Sequence, residues 1–300
     1  MKKIFALAAL TGSLLFSQTP AITGVWKADL EKSKRMGPPI TTYLVIIDQK
    51  NAVFNNRTKE EAPLVTQTTG TWGQRGDQRA VLSFFNNGKS AVRPYNGVPT
   101  RLTATQEGGK LVVSGEVAGR SSTLKWTYAL SDDGKTLTLD EEGSNEGRTM
   151  HNTIVLLKQD DAAGDPLRKP EELAEAHFKN VKTASLKGLP VSEFLNNMRY
   201  FAWSLDKDCE FCHVERKFDS DDKKEKVTAR KMIDMVAAID EHNFEGKPEV
   251  RCFTCHEGHG HPLSRPMYAD EIAAAKERAE KEAAEKAAHQ PPPPGPPPQH

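Results

Sequence analysis

No cysteine lies outside two short pairs, Cys209 with Cys212 and Cys252 with Cys255. None is left over to staple a fold, so the thiols are set aside for chemistry. There is no excess of either charge, 41 basic side chains standing against 41 acidic ones, so no global field favours nucleic acid or an anionic membrane surface. Nucleic acid is not an expected partner. Nothing beyond the first residues is apolar for long enough to cross a hydrocarbon layer of about 30 Å. No cysteine closes the initial apolar run, which argues against a lipid anchor there.

At the N-terminus, Lys2 and Lys3 precede an apolar run from Ile4 to about Phe16, followed by small and polar residues. This is the layout of a secretory signal over residues 1–21, with cleavage expected between Ser17 and Ala21 and no transmembrane segment after its removal. A periplasmic location is the expectation. Three hundred residues leave room for two domains behind it.

Residues 22–158 are rich in Thr, Val, Gly and Asn, and they alternate. The runs at 42–48, 79–85, 100–106, 110–116, 123–130, 135–140 and 151–157 read as strands of β-branched and aromatic residues. The stretches EGGK (107–110) and SDDGK (131–135) read as tight hairpin connections in which glycine supplies positive φ. Many short strands joined by tight turns imply an all-β antiparallel barrel or sandwich. The opening ITGVWKADLEKS, with Gly24 and Trp26, resembles the start of lipocalin-like barrels; Trp26 would equally serve to close one end of any small β core.

Residues 159–183, with Gly164, Pro166, Pro170 and several acids, read as a linker. The region 184–265 is helical in pattern. Ser192 is placed to cap EFLNNMRYFAWSL, in which Phe194, Met198, Phe201 and Leu205 form one stripe. In KEKVTARKMIDMVAAIDEHNF, Val227, Met232, Met235, Val236 and Ile239 share a face. Each helix leads into a C-x-x-C-H motif, CEFCH (209–213) and then CFTCH (252–256). Residues 266–300 hold a charged run of helix formers (270–288) without an apolar stripe, then a proline-rich end expected to be extended polyproline II.

Covalent haem attachment asks for this motif: two thiols reach the two vinyl groups on one porphyrin edge, and the next residue turns its imidazole onto the iron. Histidine supplies 9 of 300 residues, so a histidine after both pairs by chance is on the order of one in a thousand. A four-cysteine zinc site would leave His213 and His256 unexplained, and its two pairs usually lie roughly 15–20 residues apart, closer than here. A redox dithiol normally sits in a thioredoxin-like βαβ context, which the pattern lacks. A strong sixth ligand such as methionine would suit an electron carrier, whereas an open position would suit a peroxidase-like haem enzyme. Met198 lies on the helix before the first motif, and Met232 and Met235 on the helix before the second.

The segments LKGLPVSEFLNNMRYFAWSLDKDCEFCHV and KVTARKMIDMVAAIDEHNFEGKPEVRCFTCHEG, over residues 186 to about 262, resemble the haem-binding repeat of photosynthetic reaction centre cytochrome c subunits. The resemblance implies one pair of covalently bound haem c groups used as an electron relay. It implies thioethers from Cys209, Cys212, Cys252 and Cys255, with His213 and Met198 on the first iron and His256 and Met232 on the second. His242, His259 and His261 stay open as competitors for the second iron. That family commonly carries four haems in two pairs and has no such β domain, so a role in photosynthesis itself is not implied.

The sequence thus predicts two domains, an all-β antiparallel barrel or sandwich (22–158) followed by an all-α multihaem module (184–265). It predicts a periplasmic electron-transfer protein rather than an enzyme, serving redox protein partners, a membrane electron-transfer complex among them. A peroxidase-like haem enzyme and a small-ligand-binding barrel with an accessory haem module are the alternatives.

Overall fold

Strands form where β-branched and aromatic residues alternate with polar ones. The computed structural model describes residues 22–37, 39–49, 64–71, 77–85, 88–145, 148–266, 268–274, 277–278 and 281. The expected signal segment and the proline-rich end lie outside them. The strands are β1 (Gly24–Ala28), β2 (Thr42–Gln49), β3 (Leu64–Thr71), β4 (Asp77–Phe84), β5 (Ala91–Tyr95), β6 (Val98–Glu107), β7 (Lys110–Val117), β8 (Thr123–Leu130), β9 (Thr136–Asn145) and β10 (Arg148–Gln159). They make one ten-stranded sheet in the order β4-β3-β2-β1-β10-β9-β8-β7-β6-β5, every neighbour antiparallel. Chain neighbours are sheet neighbours throughout, except that β1 closes onto β10 and the two edges, β4 and β5, share no ladder among the described residues. The result is an up-and-down sheet rolled into a half-barrel.

Alternate residues of the strands face inward. Trp26, Val45, Ile47, Phe84, Leu102, Leu111, Val113, Leu137, Ile154 and Leu156 meet in a single buried cluster that fills the interior. Trp26 is fully buried, and its indole N–H donates to the Ile22 carbonyl (2.8 Å), so its one polar atom is satisfied inside the core. The β domain already begins to pair at Gly24, ahead of the first strand that the alternation predicts.

The β6–β7 connection is Gly108-Gly109, both at positive φ, between the paired Glu107 and Lys110. This is the two-residue hairpin geometry that matches strand twist. The β5–β6 connection, Asn96-Gly97, has the same geometry between Tyr95 and Val98.

After β10 the described residues form helices: α1 (Asp165–Arg168), α2 (Ala174–His177), α3 (Ala184–Lys187), α4 (Val191–Leu205), α5 (Lys224–Phe244) and α6 (Cys252–His256), with 3₁₀ turns at Asp161–Gly164 and Cys209–Phe211. The stretch 159–170 lies against the outside of the sheet. Leu167 of α1 packs with Val25 and Ile46 on the outer face of β1 and β2. The Arg79 guanidinium on β4 donates to the carbonyls of Pro166 (2.9 Å), Leu167 (3.3 Å) and Lys169 (2.9 Å), taking up the acceptors left free at the end of α1.

Helix α4 begins two residues earlier than expected, at Val191, and Ser192 does not cap it. Instead the Glu171 carboxylate accepts from the Ser192 N–H (2.7 Å) and hydroxyl (2.7 Å), capping the helix from a distance. At the far end Asp206, in the left-handed region (φ 49°), turns the chain out of the helix. Helix α4 crosses the end of the half-barrel where the β5–β6 and β7–β8 connections lie. The Trp203 indole N–H donates to the Ala118 carbonyl (2.9 Å), Arg120 pairs with Asp206 (3.5 Å), and a Cβ at Gly97 would collide with the Asn196 backbone. The closest backbone approach between sheet and helix therefore falls where the hairpin carries no side chain.

Candidate functional site

Each C-x-x-C-H motif follows a helix through a defined turn. Before the first motif the chain leaves α4 at Asp206, and the Asp208 carboxylate then accepts from the Phe211 N–H (3.0 Å), setting the 3₁₀ turn Cys209–Phe211. The His213 N–H continues this coil onto the Cys209 carbonyl (3.0 Å). The motif makes only this turn, because the chain bends back at Arg216 (φ 59°) into a small bridge between Val214 and Lys217.

Before the second motif the chain leaves α5 at Glu245, in the left-handed region, and the Asp240 side chain accepts from the Val250 N–H (2.9 Å), holding the return loop. The residues CFTCH then form α6, entered through a bond from the Arg251 N–H to the Thr254 hydroxyl (3.1 Å).

The two motif histidines are held alike. His213 Nδ1 lies 3.0 Å from the Phe218 carbonyl oxygen, and His256 Nδ1 lies 2.8 Å from that of His259. A carbonyl can only accept, so Nδ1 carries the proton in both rings and Nε2 keeps its lone pair. This is the arrangement of a ligating imidazole, whose other nitrogen is fastened to orient the ring and fix its tautomer. Burial draws the His213 pKa below its ordinary value, favouring the neutral ligating form.

None of the four cysteines forms a disulfide. Burial pushes the Cys212 and Cys252 thiols up, favouring their neutral form. Among the described residues no three His, Cys, Asp or Glu side chains converge as a metal ion would require, so the two pairs do not form one four-cysteine cluster.

The motifs themselves lie together. Gly258, just after the second motif, donates its N–H to the Ser204 carbonyl at the end of α4 (3.0 Å). Gly260 packs against Lys207 and Phe211 of the approach to the first motif. Phe253, inside the second motif, stacks on Trp203.

The methionines divide. Met198 is half-buried on α4, whereas Met232 and Met235 stand 39% and 44% exposed on α5 with Val227 beside them in exposure. Phe218 and Phe253, next to the motif histidines, are also exposed. The Phe218 ring lies 5.3 Å from that of His213, and exposed apolar surface of this kind beside a fixed imidazole suits a flat apolar group such as a porphyrin. His242 lies on α5 with Nδ1 on the Ala238 carbonyl (2.7 Å), and His259 and His261 are exposed beyond α6.

Sequence reasoning did not find the Phe218 and His259 carbonyls, nor the basic cluster behind the first motif. Lys226 donates from Nζ to the carbonyls of Phe218 and Ser220 (2.8 Å each). Asp221 binds Arg230 (2.9 Å), Lys182 (2.6 Å) and Asn180 (2.8 Å), and Arg230 first, then Lys182, holds its carboxyl well below the usual carboxylate range. Asp208 was readable as a cap placed just before a turn.

A profile of the family described as photosynthetic reaction centre cytochrome C subunit matches residues 139–291. The photosynthetic reaction center cytochrome c subunit of Thermochromatium tepidum is 36% identical over 89 residues, which cover 28% of this chain and 22% of that protein. The match thus spans less than a quarter of the relative's length. Among solved structures, a secretory abundant heat soluble protein of Ramazzottius varieornatus is 10% identical over 46% of this chain and 94% of its own, with a TM-score of 0.33. A zebrafish ileal bile acid-binding protein complexed with cholic acid is 16% identical over 46% of this chain and 98% of its own, with a TM-score of 0.30. Neither likeness is close enough to carry an argument about this chain.

Proposed function

Because the chain belongs to the photosynthetic reaction centre cytochrome C subunit family, we propose that it is an exported dihaem c-type cytochrome that passes single electrons between redox partners. The family is one of electron-transfer c-type cytochromes. The observation that carries the dihaem reading is the pair of matched bonds from His213 and His256 Nδ1 to backbone carbonyls, each directly after a C-x-x-C pair.

In this reading Cys209 and Cys212 would hold one haem through thioethers, with His213 Nε2 and Met198 as its iron ligands, and Cys252 and Cys255 would hold a second, with His256 Nε2 and Met232. Bound haem c supplies a one-electron iron couple, and the protein sets its potential through ligand, burial and nearby charge. The packing of Gly258 and Gly260 onto the approach to the first motif supports two sites close enough to share an electron. No described helix is long and apolar enough to cross a membrane, and the proposed partners are redox proteins, a membrane-bound complex among them.

The oxidised and reduced protein test this against a haem enzyme. Low-spin spectra for both haems with a methionine-to-iron charge-transfer band are expected. A high-spin signal together with reaction with peroxide or carbon monoxide would replace the reading with a peroxidase-like one.

A further inference from the structure

The two motif histidines share a geometry but not an electrostatic setting. The His259 carbonyl that receives His256 Nδ1 takes no side-chain donor besides that ring among the described residues. The Phe218 carbonyl that receives His213 Nδ1 also receives the Lys226 ammonium at 2.8 Å. Two donors on one oxygen at these distances place Nζ within about 6 Å of Nδ1, inside the range where charge acts directly on a titrating or ligating group.

Lys226 is held there. Its side chain is 11% exposed, and the carbonyls of Phe218 and Ser220 both accept from it. Asp221 stands 3.6 Å from the ammonium, but that carboxylate also meets Arg230 and Lys182 at shorter range. Three cations thus face one carboxylate at the cluster's centre, with Asp219 acting on Lys226 from farther out. The charges that act on His213 itself are the cations Lys226 and Arg230.

A cation on the second lone pair of the Phe218 oxygen makes that oxygen a poorer acceptor for Nδ1–H. The His213 ring then keeps its proton more fully and pushes less negative charge onto an iron at Nε2. The ammonium also opposes an added positive charge on that iron. Both effects favour the reduced state. Hence, resting on the dihaem reading above, we propose that Lys226 is a positioning residue that raises the reduction potential of the haem held by Cys209, Cys212 and His213, while leaving the second haem to its own ligands. Electrons shared within the pair are thereby drawn toward the first site.

The test is spectropotentiometry of the full-length, haem-loaded protein carrying Lys226→Met, which removes the charge but keeps the stem. The first haem is identified as the one whose potential responds to Met198→His. Lys226→Met is expected to shift the electron-sharing equilibrium between the haems about tenfold toward the second, equivalent to about 59 mV for a one-electron couple. Lys226→Arg should restore most of the original value. Asp221→Asn, which removes the opposing charge and keeps the loop's amide contacts, should move the first potential the other way and does not depend on Lys226→Met folding. Two haems per chain with a first potential unmoved by both Lys226→Met and Asp221→Asn would overturn the role of Lys226. A haem content other than two would overturn the dihaem reading itself.

Discussion

Trp203 and Phe253 stack with ring centroids 4.7 Å apart and planes inclined by 21°. Trp203 belongs to the helix that leads into the first motif, and Phe253 lies inside the second. The same indole donates its N–H to the Ala118 carbonyl of the β7–β8 connection (2.9 Å). One side chain therefore ties both motifs to the half-barrel. Trp203→Ala is expected to cost about 3 kcal/mol, the lower end for an aromatic truncation because the ring is partly exposed, with weaker retention of the second haem. Trp203→Phe keeps the stack and loses the hydrogen bond, about 1 kcal/mol. Urea unfolding of the two variants checks the order; equal losses would show that the stack contributes little.

Gly97 and Gly109 separate docking from backbone strain. Both stand at positive φ (81° and 79°), but a Cβ at Gly97 meets the Asn196 backbone whereas one at Gly109 meets nothing within 4 Å. Gly109→Ala should cost about 1 kcal/mol, for the left-handed backbone alone. Gly97→Ala should cost more and should displace α4 from the half-barrel. Matching stabilities would mean that the hairpin and helix do not press together.

The long periodic segments were legible in the sequence. Helix α5 spans the run 224–244 read from its pattern, and most β strands differ from the alternating runs only at their ends. Strands β1, β3 and β5 were not read as such. In β3 the sequence LVTQTTGT is half threonine, with too few apolar residues to show a period, and β5 contains Pro94, which removes a ladder donor and argues against a strand unless it lies at an edge, as here. The segment 159–170 resembled a linker because Pro and acids dominate it; Leu167 and the reach of Arg79 fasten it to the sheet. In the candidate site the motif residues were legible because chemistry fixes their spacing. The Phe218 carbonyl and Lys226 were not, because a backbone acceptor carries no residue signature and its position depends on how the loop 214–223 folds.

The axial methionines have separable effects. Histidine is the stronger donor to the oxidised iron, so Met198→His and Met232→His should each lower one potential and leave the other nearly unmoved. Redox titration followed in the visible bands resolves the two. If neither shifts, the ligands lie elsewhere, and His242, His259 and His261 become the candidates for the second iron.

Asp221 predicts an acid limb to the stability. Its carboxyl is held below the usual range in the folded state, by Arg230 and then Lys182, so its contribution is fully present above the unfolded carboxyl pKa of about 3.9 and is lost as pH falls toward the folded value. Urea midpoints of the wild type and Asp221→Asn should therefore differ by a steady amount above about pH 4 and converge as pH falls below it. A constant difference across that window would show that the carboxylate's ion pairs do not contribute.

The dihaem claim is tested most directly by the pyridine haemochrome of the chain purified from cells that can attach haem, set against its protein concentration. A c-type spectrum with two haems per chain is expected, one on each C-x-x-C-H motif, falling to one in Cys209→Ala/Cys212→Ala. A different stoichiometry, or a spectrum that is not c-type, would contradict the dihaem claim.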